Sequence, residues 1–561
     1  MRFSVPTAHQ KAVLTHVVGI DELAATERFA AADEGTVQAI LEGAAALAEN
    51  EFWPLNRTGD ETGAKLDDGV VTPPPGFKAG YDAFVEGGWM SLAAPASAGG
   101  MQMPLSLSAA LMENLNAANV AFALCPMLSL GAIEALEAYG SEELNERYLG
   151  KIVSGEWPAT MNLTEPQAGS DVGALTSKAR PNDDGSWAIS GQKIYITWGE
   201  HDLADNIIHL VLARTPDAPA GTRGISLFLV PKILPDGSRN DLKCVGIEEK
   251  MGIHASPTCV MQYGGTQGDE GGAKGWLIGE VGGGMRAMFV MMNNARLNVG
   301  LQGVGLAEVA TQRAVAYALE RKQGQRAGAP AAIAEHPDVR RMLLRMRSLT
   351  MASRALCYYA FACLDRRATG DEAAGARGEV LTPLAKAWGT DVGCEVTSLG
   401  VQVHGGMGYV EETGAAQHMR DARIAPIYEG TNGIQAADLV MRKLGLDGGL
   451  AFDGLLADIR ANAQAPNLHS LADLVEQTGN ALRSAEPDHK LAGSYPFLTM
   501  CSVLVGGWLL ERLAMAEDAD AATKAASDYF TTAVVAEAAG LAAAANAGAA
   551  LLYSVEAEAL G

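Results

Sequence analysis

The sequence predicts a multi-domain α+β protein. A helical N-terminal domain covers residues 1–158, a β-domain 159–281, a helix bundle 282–447 and an additional helical module 448–561. Three observations predict this layout. The chain of 561 residues is 48% apolar and 19% charged, which supplies a substantial core and excludes disorder as its main state. Short β-rich runs begin near residue 159, and no helical stretch alternates with them, which argues against parallel βαβ architecture. Long helical periodicities return from about Gly282.

Taken in order, the first region reads as helices joined by loops. Val37, Ile40, Leu41, Ala44, Ala45, Ala48 and Phe52 form an apolar helical stripe. Pro73 to Pro75 cannot sit inside a helix and mark a loop. Helical patterns follow over 107–118 and 133–149. In the β-domain the strand candidates are 193–197, 207–213 and 225–230, with PNDDGS, TPDAPAGT and LPDGS as turn segments. Segments 305–322, 339–364, 383–403 and 431–444 keep helical spacing, as a bundle requires. Gly445, Gly448 and Gly449 mark a boundary, and the Ala-rich remainder reads as more helices.

The 66 acidic and 42 basic residues give a net charge of −24, which repels phosphate backbones and anionic lipid. No nucleic-acid or membrane partner is therefore expected. Seven scattered cysteines without a Cys-x-x-Cys pair argue against a disulfide framework or zinc ribbon and for a reducing, cytoplasmic setting. The first residues lack the pattern of a signal peptide. The apolar stretch 538–555, mostly Ala and Gly, is expected as a packed helix rather than a membrane span. No metal site is expected, because the ten histidines lack ligand spacing; His404 and His418 read as structural.

Three segments carry candidate chemistry. Gly282, Gly284 and Ala287 spell a dinucleotide-type GxGxxA, but no second strand completes the unit, so the run reads as a turn ahead of a long helix. MNLTEPQAGSD (161–171) offers hydroxyl and backbone donors at Thr164, Gly169 and Ser170, suited to a ring carbonyl or phosphate. By composition alone it reads first as an ordinary capped loop. In IAPIYEGTNG (424–433), Glu429 is either a solvated or helix-capping carboxylate or, buried against an apolar ligand, a general base. The residues leave both readings open.

MNLTEPQAGSD resembles the TEPGAGSD signature of the acyl-CoA dehydrogenase family. ISGQKIYIT, VQVHGGMGY and MRDARIAPIYEGTNGIQ resemble further signatures of the same family, in its order, across roughly 80–445. The resemblance implies an acyl-CoA dehydrogenase-like fold and FAD-dependent α,β-dehydrogenation of an acyl-CoA thioester. Glu429 would be the base, its backbone N–H helping to stabilise the enolate oxygen. FAD would be held by Met161, Leu163, Thr164, Gly169, Ser170, Tyr195, Thr197, Gly430 and Thr431. A neighbouring subunit would add Arg321 and the run Gln402, Val403, His404, Gly405 and Gly406, which implies a homo-oligomer, a dimer or tetramer. Ser170, Arg296, Tyr428 and Glu429 would contact substrate. An electron-transfer flavoprotein would accept the electrons.

The sequence departs from the family pattern in several places. Tyr195 stands for the usual Trp, Trp198 for a small polar residue, and Gln323 and Gly324 for Thr and Phe. Gly433 replaces a residue that commonly contacts adenosine. The segments 72–95 and KIYITWGEHD, with the C-terminal module, resemble the long members that oxidise 3-(methylthio)propanoyl-CoA in dimethylsulfoniopropionate demethylation. The alternatives are a general short- or medium-chain dehydrogenase, an acyl-CoA oxidase, or a flavin-free scaffold.

Overall fold

The computed structural model describes residues 3–266 and 271–561. Packing divides the chain into two compact units that cut across the sequential segments. One contains residues 46–103 and 118–295, the other 1–45, 104–117 and 296–561.

The first unit is built on an eight-stranded sheet. Its pairing is antiparallel except where Ala159–Asn162 and Lys178–Pro181 run parallel to Ile208–Arg214. Strand Ala273–Ile278 pairs through its first half with Trp187–Thr197 and through its second with Ile225–Pro231, which closes five strands into a ring. Ile189, Ile196, Val211, Phe228, Val230 and Met261 fill the interior. The strands expected from the sequence are all present, the first running longer, over Trp187–Thr197. Beside the sheet, Phe122 stacks on Phe52 at a centroid distance of 4.4 Å and meets Phe77 at a tilt at 4.5 Å. The glycine run ends in the long helix Gly284–Glu320, as expected of a turn ahead of a helix. Gly284 has no room for a side chain: a Cβ there would lie 2.4 Å from the Ser226 carbonyl carbon.

The second unit is helical. Gly284–Glu320 enters it from Arg296 onward, followed by Pro337–Ala368, Glu372–His404 and Asn432–Met441. Small residues let two of these helices cross closely. A Cβ on Gly303 would lie 1.9 Å from the Gly389 carbonyl oxygen. The additional module supplies Leu450–Asn462, Pro466–Ser484 and Pro487–Ala514, and it belongs to the same unit as the bundle.

Three expectations are corrected. The helix expected to end at Lys322 stops at Glu320, and an exposed hairpin of Lys322–Arg326 with Ala329–Ala332 follows, turning through Ala327 and Gly328 at positive φ. The 107–118 pattern extends to a helix over Leu105–Tyr139, broken at Asn119, whose side chain caps the continuation by accepting from the Phe122 N–H. The stretch 538–555 forms no single helix: Gly540 and Asn546-Ala547-Gly548 interrupt it, and Leu551 to Val555 end exposed. Two helices, Leu105–Tyr139 and Pro487–Ala514, are long and apolar enough to cross a membrane, but 89% and 83% of their apolar windows are buried within the protein.

Candidate active site

The first unit presents the loop that follows strand Ala159–Asn162. A buried ion pair fixes it: Lys193 Nζ lies 2.8 Å from Glu165 Oε1 and donates to the Leu163 carbonyl as well. The other Glu165 oxygen accepts from the Thr176 N–H and hydroxyl. Burial pushes the Glu165 carboxyl up, but Lys193 and these donors hold it down to about 2. The Ile194 N–H donates to the Thr164 carbonyl, which ties loop to strand. Beyond Lys193 the strand carries a β-bulge, and Tyr195 sits in it at φ 59° with its ring 59% exposed. A bulge re-aims the side chain it carries.

Around this loop, Met161 is buried, Leu163, Thr164 and Thr197 are half-buried, and Gly169 and Ser170 are exposed. A Cβ on Gly169 would meet only open space. The set offers hydroxyls, backbone N–H groups and one exposed aromatic face, with Lys193 already committed. That is the donor chemistry a flavin ring needs, so the residues fit FAD. Trp198 belongs to the core instead: it is buried at φ 52°, and its Nε1–H donates to the Ala121 carbonyl.

The second unit presents the loop that carries Glu429. Between Ala415–Ala422 and Asn432–Met441 the chain makes a tight loop closed by the Asn432 N–H, which donates to the Pro426 carbonyl at 2.9 Å. Glu429 and Gly430 both take positive φ, 54° and 82°. Thr431 caps the next helix through its hydroxyl, 3.2 Å from the Ile434 N–H. Burial raises the proton affinity of the Glu429 carboxyl, and the positive charges of Arg296 and Lys386 oppose that rise. Arg296 is buried, and its Nε–H has no hydrogen-bond partner among the described residues. Tyr428 donates its hydroxyl to Gln302.

The remaining expected residues spread over this unit. Arg321 is exposed at the end of its helix, beside the hairpin. Gln402, Gly405 and Gly406 are exposed at a helix end, whereas Val403 and His404 turn inward. His404 donates through Nδ1–H to the Gly400 carbonyl (2.7 Å) and stacks on Tyr317. Sequence reasoning quoted Glu165 and Lys193 within two of the motifs but missed their pairing, which joins residues 28 apart in the chain. It also missed Lys386, a lone cation in the apolar run LTPLAKAWG, which was a signal open to reading.

Compared with known proteins, the chain matches the acyl-CoA dehydrogenase N-terminal domain over residues 35–156, the middle domain over 160–265 and the C-terminal domain over 282–444. It belongs to the acyl-CoA dehydrogenase family, is an oxidoreductase acting on acyl-CoA, and takes the family's cofactor, FAD. It is 44% identical to the 3-methylmercaptopropionyl-CoA dehydrogenase of Ruegeria pomeroyi, over 94% of each chain. Among solved structures, Caenorhabditis elegans ACDH-11 in complex with C11-CoA superposes at a TM-score of 0.79, with 21% identity over 94% of this chain and 91% of that one. The Bacillus anthracis acyl-CoA dehydrogenase complexed with FAD superposes at 0.74, with 23% identity over 93% and 89%.

Proposed function

We propose that this dehydrogenase oxidises 3-(methylthio)propanoyl-CoA to 3-(methylthio)acryloyl-CoA, a step in dimethylsulfoniopropionate demethylation. The observation that carries the reading is the 44% identity to the Ruegeria enzyme over 94% of both chains. That span takes in most of the additional module, which lies beyond the family domains ending at 444.

Glu429 removes the α-proton of the thioester. The C–H bonding pair moves into an enolate, and the proton goes to a carboxylate oxygen. Burial makes Glu429 a stronger base than an ordinary solvated carboxylate. Its backbone N–H, in a loop held at positive φ, is the donor we assign to the thioester oxygen as charge develops there. Bound FAD supplies the acceptor for the β-hydrogen, which leaves as hydride.

Met161, Leu163, Thr164, Gly169, Ser170, Tyr195 and Thr197 would hold the flavin, with Gly430 and Thr431. Arg321 and Gln402 to Gly406 would serve the FAD of a second copy of the chain. We assign the enzyme to the cytoplasm, as a homo-oligomer that passes its electrons to an electron-transfer flavoprotein.

The test is an anaerobic flavin spectrum during addition of 3-(methylthio)propanoyl-CoA, butanoyl-CoA or octanoyl-CoA. Fastest bleaching by the thioether substrate is expected. Faster bleaching by a plain acyl chain moves the enzyme to general fatty-acyl oxidation.

A further inference from the structure

The side chain of Asn432 is the hub of a buried polar chain that begins in the additional module. Tyr495, on Pro487–Ala514, donates its hydroxyl to Asp391 Oδ2 at 2.7 Å. The other Asp391 oxygen accepts from Asn432 Nδ2 at 2.8 Å. Asn432 Nδ2 also reaches the Ala387 carbonyl, and Asn432 Oδ1 accepts from Lys386 Nζ at 2.8 Å. Lys386 has no solvent exposure, and Asn432 is nearly as deeply buried. The backbone N–H of this same Asn432 closes the loop that presents Glu429. One residue therefore clamps the base loop to the helix Glu372–His404 and orients the buried cation whose charge acts on Glu429.

We propose that Tyr495, Asp391, Asn432 and Lys386 are positioning residues for Glu429, and that through Tyr495 the additional module is a working part of the active site. The inference rests on Glu429 being the base. Buried polar networks are fully partnered or costly, and this one ends at a charged group beside the reacting carboxyl.

The charges around the loop set the expected sign. Helix Gly284–Glu320 contributes Arg296, which also faces Asp438 and Arg442 from the helix that follows the loop. Helix Glu372–His404 contributes Lys386 and Asp391, and Asp391 also faces Arg423 and Tyr495. Tyr428 lies within the loop. Burial drives Lys386 down to about 7, while Glu429 and Asp391 help to keep it charged. Losing the Tyr495 hydroxyl makes Asp391 easier to protonate. Lys386 then loses a counter-charge and gives up its proton more readily, and without that positive charge the proton on Glu429 is held more tightly.

The experiment compares pH profiles of kcat/KM for the FAD-loaded wild type, Lys386→Met, Tyr495→Phe and the double variant, with butanoyl-CoA and 3-(methylthio)propanoyl-CoA. Lys386→Met is expected to move the acid limb up by about one pH unit, the scale of removing a nearby opposite charge. Tyr495→Phe is expected to move it the same way by less, and the double variant no further than Lys386→Met, because both act through one path. An unmoved limb in Tyr495→Phe, or additive shifts, overturns the proposal. If Lys386→Met does not fold, Tyr495→Phe against wild type decides, since its ring is 39% exposed and the change removes one oxygen. Glu429→Gln separates the two readings: retained turnover removes the base and the relay together, whereas lost turnover with an unmoved Tyr495→Phe limb removes the relay alone.

Discussion

Glu429 occupies a left-handed backbone conformation that costs a residue with a Cβ about 1–2 kcal/mol. The Asn432-to-Pro426 hydrogen bond and the glycine at 430 hold it there. Replacing Glu429 with Gln preserves shape and removes the proposed proton acceptor, so kcat should fall by about 10²–10⁴ while the yellow flavin spectrum stays. The acid limb of kcat/KM in the wild type should lie above the ordinary glutamate value of 4.5, because burial favours the protonated form and activity fades as the pH drops through the raised pKa. A limb at or below that value would remove burial from the account of this base. Glu429 was legible in the sequence only through the motif around it. Its burial was not, because Lys386 and Arg296 reach it from helices 43 and 133 residues upstream. Asn432 was likewise legible as part of the motif but not as a hub, since its partners lie on another helix.

At the scale of elements, two junctions decide whether the site is held. Lys193 and Glu165 pin the 163–165 loop to its strand from inside the unit, so Lys193→Met, which strands a buried carboxylate, should destabilise by about 3–5 kcal/mol in denaturant unfolding. The stabilisation from Glu165 is present above its unfolded value of 4.5 and is lost as the pH falls towards about 2, where the folded carboxyl takes its proton. The second junction is the crossing of Gly284–Glu320 with Glu372–His404. Gly303→Ala pushes a methyl into the Gly389 carbonyl and should cost about 1–3 kcal/mol, or more if the helices cannot part. The periodicity of both helices could be read from the sequence, but their closeness could not, because a helical glycine carries no periodic signal. The hairpin after Glu320 was missed for a related reason: KQGQRAGAPA has no apolar alternation, since all but its last residue are exposed.

Over the whole molecule, the order of helices, strands and helices was readable from texture. The division into two units was not. Residues 104–117 join the bundle because Glu113 forms a buried pair with Arg354, 241 residues away, and Arg354 also binds Glu308. The additional module is equally committed to the bundle. Gly506 packs its backbone onto Trp388, Arg377 pairs with Asp458, and Arg345 with Glu537. Deleting 448–561 should therefore give a chain that unfolds at lower temperature and loses soluble yield, measured beside the intact enzyme. The seven free cysteines have a practical consequence of their own. Six are buried and Cys394 is half-buried, and burial pushes the Cys125, Cys357, Cys363, Cys394 and Cys501 thiols up, away from the reactive thiolate. The folded native chain is thus a nearly silent background for maleimide chemistry. A single cysteine introduced on the exposed 322–332 hairpin could carry a dye or spin label with no native thiol removed.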